Sequence, residues 1–371
     1  MKVSIAGDFS PRHRMPALFD AGKFKQALGD IKFAFDNSDF NIVNFETTIP
    51  TSGAKAIEKV GPNLSCGQSS IEALRWLRID IVTLANNHAG DYGPESLLHT
   101  IELLDKACIG HVGAGCNLAE ADKILYLKKG DETLAVVNCC EHEYGIATKD
   151  TAGTNPLDAV RQFRTMREAR SRADYVLVIV HGGAEGFQLP TSRMQDTYRF
   201  FIDAGADAVV NHHQHCYSGI EIYDGKPIFY GLGNFAFDYP NPTKEWTEGI
   251  IATIEFTKEG IAHKYTPYVQ FAEKPSVSPA ARAQEFDIRI KELSEIIADR
   301  EQLEQQVDNY FSDWQSIVRG RLQPYSGRIM KALYSRGFLP SLLSRENKRV
   351  IQNMVNCETH RERLQYFLNK D

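Results

Sequence analysis

What this chain lacks narrows its class before any motif is read. No stretch of roughly 18 residues is both apolar and uncharged, so a bilayer-spanning helix is not expected. Positive charge is not in excess: 42 Lys and Arg stand against 48 Asp and Glu, for a net charge of −6. That balance makes nucleic acid a poor partner and offers no overall attraction to an anionic membrane. The seven cysteines are odd in number and form no CxxC pair, which speaks against a disulfide framework or a zinc ribbon and for reduced, mostly buried thiols. No basic segment and apolar core of a secretory leader stand before the strand-like run Val3 to Ala6, so a cytoplasmic protein is expected. An internal repeat of fixed period and a low-complexity tract are also missing, which sets repeat architectures aside.

What is present is ordinary globular material, with 43% hydrophobic and 24% charged residues. A length of 371 residues suggests about two units. To about residue 275, short β-branched runs alternate with helix-like periods, the pattern of a layered α/β domain. Strands are expected at Lys2 to Ala6, Phe40 to Asn44, Ile79 to Leu84, Thr133 to Asn138, Tyr175 to Val180 and Ala208 to Asn211. Helices are expected at Ser70 to Leu77, Glu95 to Lys106, Pro156 to Ala173 and Arg193 to Ala204. Asp224-Gly225 between Gly219 to Tyr223 and Lys226 to Tyr230 is a two-residue hairpin signal, and strand-like runs at Glu248 to Phe256 and Ala262 to Val269 make the sheets mixed. From about Pro279 the composition turns rich in Glu, Gln, Arg and Leu, so residues 1–275 and 279–371 read as an α/β domain and a helical C-terminal region. In that region Trp314, Ile317, Leu322, Ile329 and Leu333 form a stripe that reads either as core or as a face for a partner or a second copy.

In an α/β fold the loops leaving the carboxyl ends of strands carry the ligands, so polar residues there are the ones to weigh. The first expected strand runs into Gly7-Asp8, the second into Asn44-Phe45-Glu46, and the third into Asn86-Asn87-His88-Ala89-Gly90-Asp91. The fifth ends at His181-Gly182-Gly183 and the sixth at Asn211-His212-His213-Gln214-His215. Carboxylate, amide and imidazole groups arriving from several directions are what a divalent cation requires. His213 and His215 are two apart, which in an extended segment places both on one face. Each feature alone has a plainer reading. Asp8 fits a helix cap or turn, His181 a satisfied buried histidine, the histidine run a solvated loop, and Cys216 a small filler rather than a ligand or nucleophile. Five strand ends carrying ligand-type residues together fit a metal site better than turn chemistry, and Gly7, Gly90, Gly182 and Gly183 would let backbone approach it closely.

These stretches resemble the capsule-synthesis CapA or poly-gamma-glutamate synthesis family, within the calcineurin-like metallophosphatase superfamily. The matching segments are Gly7-Asp8, Asn44-Phe45-Glu46, Leu84 to Gly93, Gly113-Ala-Gly115, His181 to Glu185, Asp203 to His215 and Gly231 to Phe237. The resemblance implies a four-layer αββα sandwich with mixed sheets and a site for one or two divalent metal ions (Mn, Fe, Zn or Mg). It implies that Asp8 and His215 bind the first metal, that Asn87, His181 and His213 bind the second, and that Glu46 bridges them. His88 would act on the leaving group, oriented by Asp91, while Glu185 and the Gly231 to Phe237 loop would shape the substrate pocket. The chain departs from the superfamily pattern at Ser10, where a histidine is usual, at Glu46 in place of an aspartate, and at Gly182 and Asn211.

The implied function is metal-dependent hydrolysis of a phosphoester or of a gamma-glutamyl or other amide bond, on a small-molecule or polymer substrate, in capsule or exopolymer biosynthesis. The alternative is a non-catalytic accessory or scaffold protein of polymer synthesis with a vestigial metal site, a reading that Ser10 favours.

Overall fold

The protein is described by a computed structural model that covers residues 1–272, 274–314, 322–325 and 327–356. In chain order its strands are β1 (Lys2–Phe9), β2 (Phe40–Phe45), β3 (Ile81–Thr83), β4 (Gly110–Val112), β5 (Ala114–Gly115), β6 (Leu125–Lys129), β7 (Glu132–Cys140), β8 (Gly153–Thr154), β9 (Tyr175–His181), β10 (Ala208–His212), β11 (Ile220–Tyr223), β12 (Lys226–Phe229), β13 (Glu248–Thr257), β14 (Gly260–Gln270) and β15 (Val277–Pro279). One sheet has the order β15-β14-β13-β1-β2-β3-β4 and the other β11-β12-β10-β9-β7-β6, with β5 and β8 forming a small pair. Strands β1 to β4 run parallel, as do β7, β9, β10 and β12, while β13 joins β1 antiparallel and β6 and β11 close the second sheet antiparallel. Both sheets are therefore mixed.

The two sheets face each other. Tyr175 of β9 meets Phe256 of β13 with ring centres 5.5 Å apart, and Phe229 of β12 meets the ring of His263 on β14 at 5.7 Å. Helices cover the outer faces. Ser69–Leu77 and Gly93–Lys106 lie over the first sheet in a core that includes Phe9, Phe45, Leu74 and Leu104. Ala159–Arg172 and Ser192–Asp203 lie over the second, against β7, β9 and β10. The result is the expected αββα sandwich. It explains why Tyr175 to His181 is buried throughout: a parallel strand covered on both faces reads as a continuous apolar run.

Local chemistry sets the boundaries. The helix expected from Pro156 starts at Ala159 because the side chain of Asp158 accepts from the backbone N–H of Arg161, and Thr191 caps the next by accepting from Met194. Asp224 and Gly225 take φ of 49° and 72°, the left-handed pair of a two-residue hairpin, and join β11 to β12 in register. Short strands such as β4 and β6 carry no alternating pattern long enough to be read in advance.

Residues Met1–Glu304 form one compact unit, and the chain from Gln305 a second. Helix Ala283–Ala298 belongs to the first and packs on β11, where Ile220 N donates to Ser294 Oγ at 2.9 Å. In the second, Leu322 to Tyr325 form a turn and helices occupy Arg328–Ser335 and Arg345–Asn356. Of the apolar stripe, Trp314, Leu322 and Ile329 are exposed and Leu333 is partly covered; Ile317 lies outside the described residues. Among the described residues no helix is long and apolar enough to cross a membrane.

One irregularity positions the site. The β1–β2 register shifts between Ala6 and Asp8, a bulge at Gly7 that re-aims the end of the strand. The 231–237 loop is zipped onto this bulge: Asp8 N donates to Gly233 O at 3.1 Å and Phe235 N to Asp8 O at 2.8 Å. A Cβ on Gly7 would lie 1.8 Å from the Gly233 carbonyl oxygen. Gly7→Ala is therefore expected to destabilise the fold by at least the ~1–3 kcal/mol of an overpacked core, read as a lowered midpoint in urea denaturation. A midpoint equal to that of the unmodified chain would show that the zipper yields.

Candidate metal centre

The residues singled out at the strand ends converge. Asp8 follows the β1 bulge, Glu46 follows β2, and Asn87 and His88 lie in the turn after β3, all leaving parallel neighbours at the same end. His181 ends β9, and His213 and His215 follow β10. The segment carrying the last two is not extended, contrary to the expectation from their spacing. Both adopt left-handed backbone, with φ of 90° for His213 and 57° for His215, and it is this turn that brings their rings to 6.1 Å of each other. Non-glycine residues hold such conformations only where surrounding contacts impose them, and they cluster at functional sites.

Two triads result, each with ligand atoms within 4.8 Å of one another: Asp8, Glu46 and His215, and Glu46, His181 and His213. Glu46 belongs to both. Asn87 joins the second, its Oδ1 3.0 Å from His181 Nε2. All of these side chains are buried.

Glu46 supplies the test of what the cluster fits. Neither carboxylate oxygen has a hydrogen-bond partner, although the residue is fully buried. Oε1 stands 3.6 Å from His181 Nε2, 3.8 Å from His215 Nε2 and 3.9 Å from His88 Nε2. Those gaps are too long for hydrogen bonds and match the separation of ligands that share a cation at about 2.0–2.2 Å. A buried carboxylate left without donors is costly, so the donor set fits a divalent cation.

The remaining ligand-type atoms are held by neighbours, as in metal sites generally. Asn44 Nδ2 donates to Asp8 Oδ1 at 2.7 Å, and His213 N to Asp8 Oδ2 at 3.2 Å. His215 Nδ1 is 2.9 Å from Asn234 Oδ1, which leaves Nε2 toward Glu46, and the ring packs 4.9 Å from Trp246. Asn87 Nδ2 donates to Glu143 Oε2 at 2.5 Å, turning its own carbonyl oxygen inward.

The electrostatics are consistent with one another. Burial works against the charge of Asp8, yet the nearby rings of His212 and His215 hold its carboxyl well below the usual range. Burial pushes Glu46 well above that range. Burial likewise pushes His181 well down and His213 down, keeping both neutral as ligands must be. His215 goes the other way: burial opposes its charge, but Glu46 and Asp8 raise it to about 10. Without a cation Glu46 and His215 thus compete for a proton, because the charge that raises His215 is the one that burial disfavours on Glu46.

Beside the triads, His88 Nδ1 is 2.6 Å from Asp91 Oδ2, and burial depresses the imidazole despite that partner. Asp91 also accepts from Leu64 N at 2.6 Å and is ion-paired with Lys59, whose Nζ lies 3.1 Å from His88 Nδ1. The Lys59 side chain is only 1% exposed. Lys59 stands at no strand end, so strand-end chemistry does not point to it; Glu143 lies three residues beyond β7, a strand end to which the sequence reading assigns no ligand, and Asn234 lies inside the Gly231 to Phe237 stretch without an assigned role. Glu185 sits exposed on the loop after β9, outside both triads, yet its charge reaches Glu46, His213 and His215. Ser10 is buried with its Oγ unpartnered. Burial pushes the Cys216 thiol up, which disfavours a thiolate and fits the filler reading. Of the six described cysteines, Cys139, Cys140 and Cys216 are buried while Cys108 and Cys116 are exposed, so the thiols are less uniformly buried than expected.

A layered α/β sandwich with carboxylate, amide and imidazole groups gathered at its strand ends is the class that fold and site define. Residues 2–239 match the family described as bacterial capsule synthesis protein PGA_cap, and the chain belongs to that family. It is 35% identical over 209 residues to the PGA biosynthesis protein CapA of Bacillus subtilis, covering 55% of this chain and 54% of that protein. To a probable polyglutamine synthesis accessory protein of Mycobacterium tuberculosis it is 30% identical over 216 residues, covering 54% and 56%. The chain thus spans about half the length of the curated relatives it matches. Among solved structures, a putative 5'-nucleotidase of Staphylococcus aureus in complex with alpha-ketoglutarate aligns with a TM-score of 0.45 at 14% identity, over 78% of this chain and 58% of that one.

Because folded Glu46 keeps its proton to higher pH than the unfolded chain does, folding of the metal-free protein is penalised increasingly as pH rises above the ordinary glutamate range. In chelator, Glu46→Gln is expected to be the more stable protein at pH 7, by about 1–3 kcal/mol, with the difference closing toward pH 4.5. Thermal melts across that range check the sign; a Glu46→Gln protein less stable at pH 7 would mean the carboxylate is held by donors.

Proposed function

We propose that the chain is a divalent-metal-dependent hydrolase that cleaves a phosphoester or a gamma-glutamyl or other amide bond in the making of a capsule or exopolymer, and that it acts in the cytoplasm. The observation that carries the reading is the partnerless carboxylate of Glu46 shared by two ligand triads. Asp8, Glu46 and His215 would hold one cation, and Glu46, Asn87, His181 and His213 the other. Bound there, the cations would polarise the scissile group and lower the pKa of water. The protein's own part is orientation. Asn44 and the His213 N–H fix Asp8, Asn234 fixes the tautomer of His215, and Glu143 turns Asn87. His88 would hold or move a proton at Nε2, with Nδ1 engaged by Asp91 and Asp91 in turn tied by Lys59 and the Leu64 N–H. Glu185 would reach substrate from the rim. The relatives' names, PGA biosynthesis and polyglutamine synthesis, support a polymer or its precursors as substrate.

A second reading is favoured by one observation, the buried and unpartnered Ser10 where a histidine ligand is usual. Under it the centre is vestigial and the chain is an accessory factor.

Metal content by mass spectrometry, on protein reloaded with manganese or zinc, separates the two. About two ions per chain, largely lost in His213→Ala, is the expected result, with affinity still rising above pH 8 toward about 10, where His215 gives up its proton. His88→Ala should keep its metal and lose roughly 10²–10⁴-fold in turnover on phosphodiester or gamma-glutamyl substrates. No metal under any loading would leave the accessory reading; full turnover after His88→Ala would remove the proton role.

A further inference from the structure

Helix Arg328–Ser335 contains no buried side chain, and none of the described side chains of helix Arg345–Asn356 is buried. Both are nevertheless sharply two-sided. In the first, Ile329, Met330 and Leu333 share one stripe, with Arg328, Lys331 and Ser335 on the other. In the second, Val350, Ile351 and Met354 stand opposite Arg345, Arg349 and Gln352, with Lys348 and Val355 together at the border. The turn that follows the first helix adds Phe338 and Leu342. Ile329 is 75% exposed, Phe338 72%, and Leu342 and Val350 52% each.

This turn is pinned. Tyr325 Oη donates to Pro340 O at 2.6 Å, Leu342 N to Gln323 Oε1 at 2.9 Å, and Gln323 Nε2 to Ser341 Oγ at 3.0 Å. Phe338 and Leu342 are therefore presented on a fixed scaffold. Over residues 322–356 there are six basic residues and one acidic, a balance of +5 within a chain whose net charge is −6.

We infer that residues 322–356 form a peripheral membrane-binding element, whose apolar stripes and pinned turn enter the headgroup layer of an anionic bilayer while the flanking Arg and Lys side chains meet its phosphates. Apolar stripes bordered almost wholly by cations are the composition of helices that lie in that interface. A cluster of this size falls within the four to eight basic residues that suffice for anionic lipid. A symmetric pairing of two copies over the same face would instead set cation against cation.

The test is co-flotation of the full chain with vesicles of phosphatidylcholine alone or mixed with phosphatidylglycerol. The chain is expected to float with the mixed vesicles only. Arg345→Gln with Lys348→Gln should lower partitioning by roughly an order of magnitude, as should high salt. Ile329→Glu with Phe338→Glu should abolish flotation. Retention of the chain in the soluble fraction with both vesicles, equal binding to neutral vesicles, or flotation indifferent to the glutamate substitutions would each overturn the inference. If the glutamate variant only turns a dimer into a monomer by sedimentation, the face belongs to a second copy and the inference fails. Should that variant misfold, the two glutamine substitutions carry the test alone.

Discussion

The desolvated carboxylate of Glu46 is the constraint to which the rest of the first unit answers. It arrives from β2, is approached by imidazoles from β9 and the turn after β10, and shares its second triad partner with β1. Apart from His213 and His215, none of these groups is near another in sequence. Only two sheets packed face to face, with their parallel strands ending at one edge, bring them within a few ångströms. The apolar strands Val3 to Ala6 and Val176 to Val180 provide the rigidity: close-packed interiors do not relax to let a misplaced charge find water.

The centre is therefore unfavourable when empty of charge to balance it. Left-handed backbone at His213 and His215, a desolvated Glu46, and imidazoles whose protons are stripped by burial all work against the folded state. Such tension is common where a site is held ready for a ligand. The surrounding network of Asn44, Asn234 and Asn86 amides supplies neutral donors and acceptors that orient without adding charge, and Asn86 in particular binds the Phe45 carbonyl and the His88 and Ala89 N–H groups.

Much of this was legible in the residue order because the relevant periods are short. Strand ends, the Asp224-Gly225 hairpin and the ligand-type residues after each strand are local signals, and local signals survive in sequence. What stayed hidden depends on contacts between distant segments. Lys59 lies in an irregular stretch whose fold is set by Ile57 N donating to Asp91 O and Leu64 N to the Asp91 carboxylate, so its role cannot be read from its neighbours. The spacing of His213 and His215 suggests alternation along a strand, whereas positive φ at both residues brings their rings together. The basic balance of residues 322–356 was masked by averaging over a chain that is acidic as a whole.

The pairing of β1 with β13 has a consequence for how the molecule is made. Lys2 lies opposite Glu255, and the amino terminus donates to Phe256 O at 2.7 Å across 255 positions of chain. On the ribosome, Asp8, Glu46, Asn87 and the histidines up to His215 are synthesised before the strand that completes the frame of Asp8 exists. Until then one flank of β1 is an unpaired edge, open to register slips and to the edges of other nascent chains. Assembly must wait for this long-range pairing to close, and pairings so distant in sequence are slow to form.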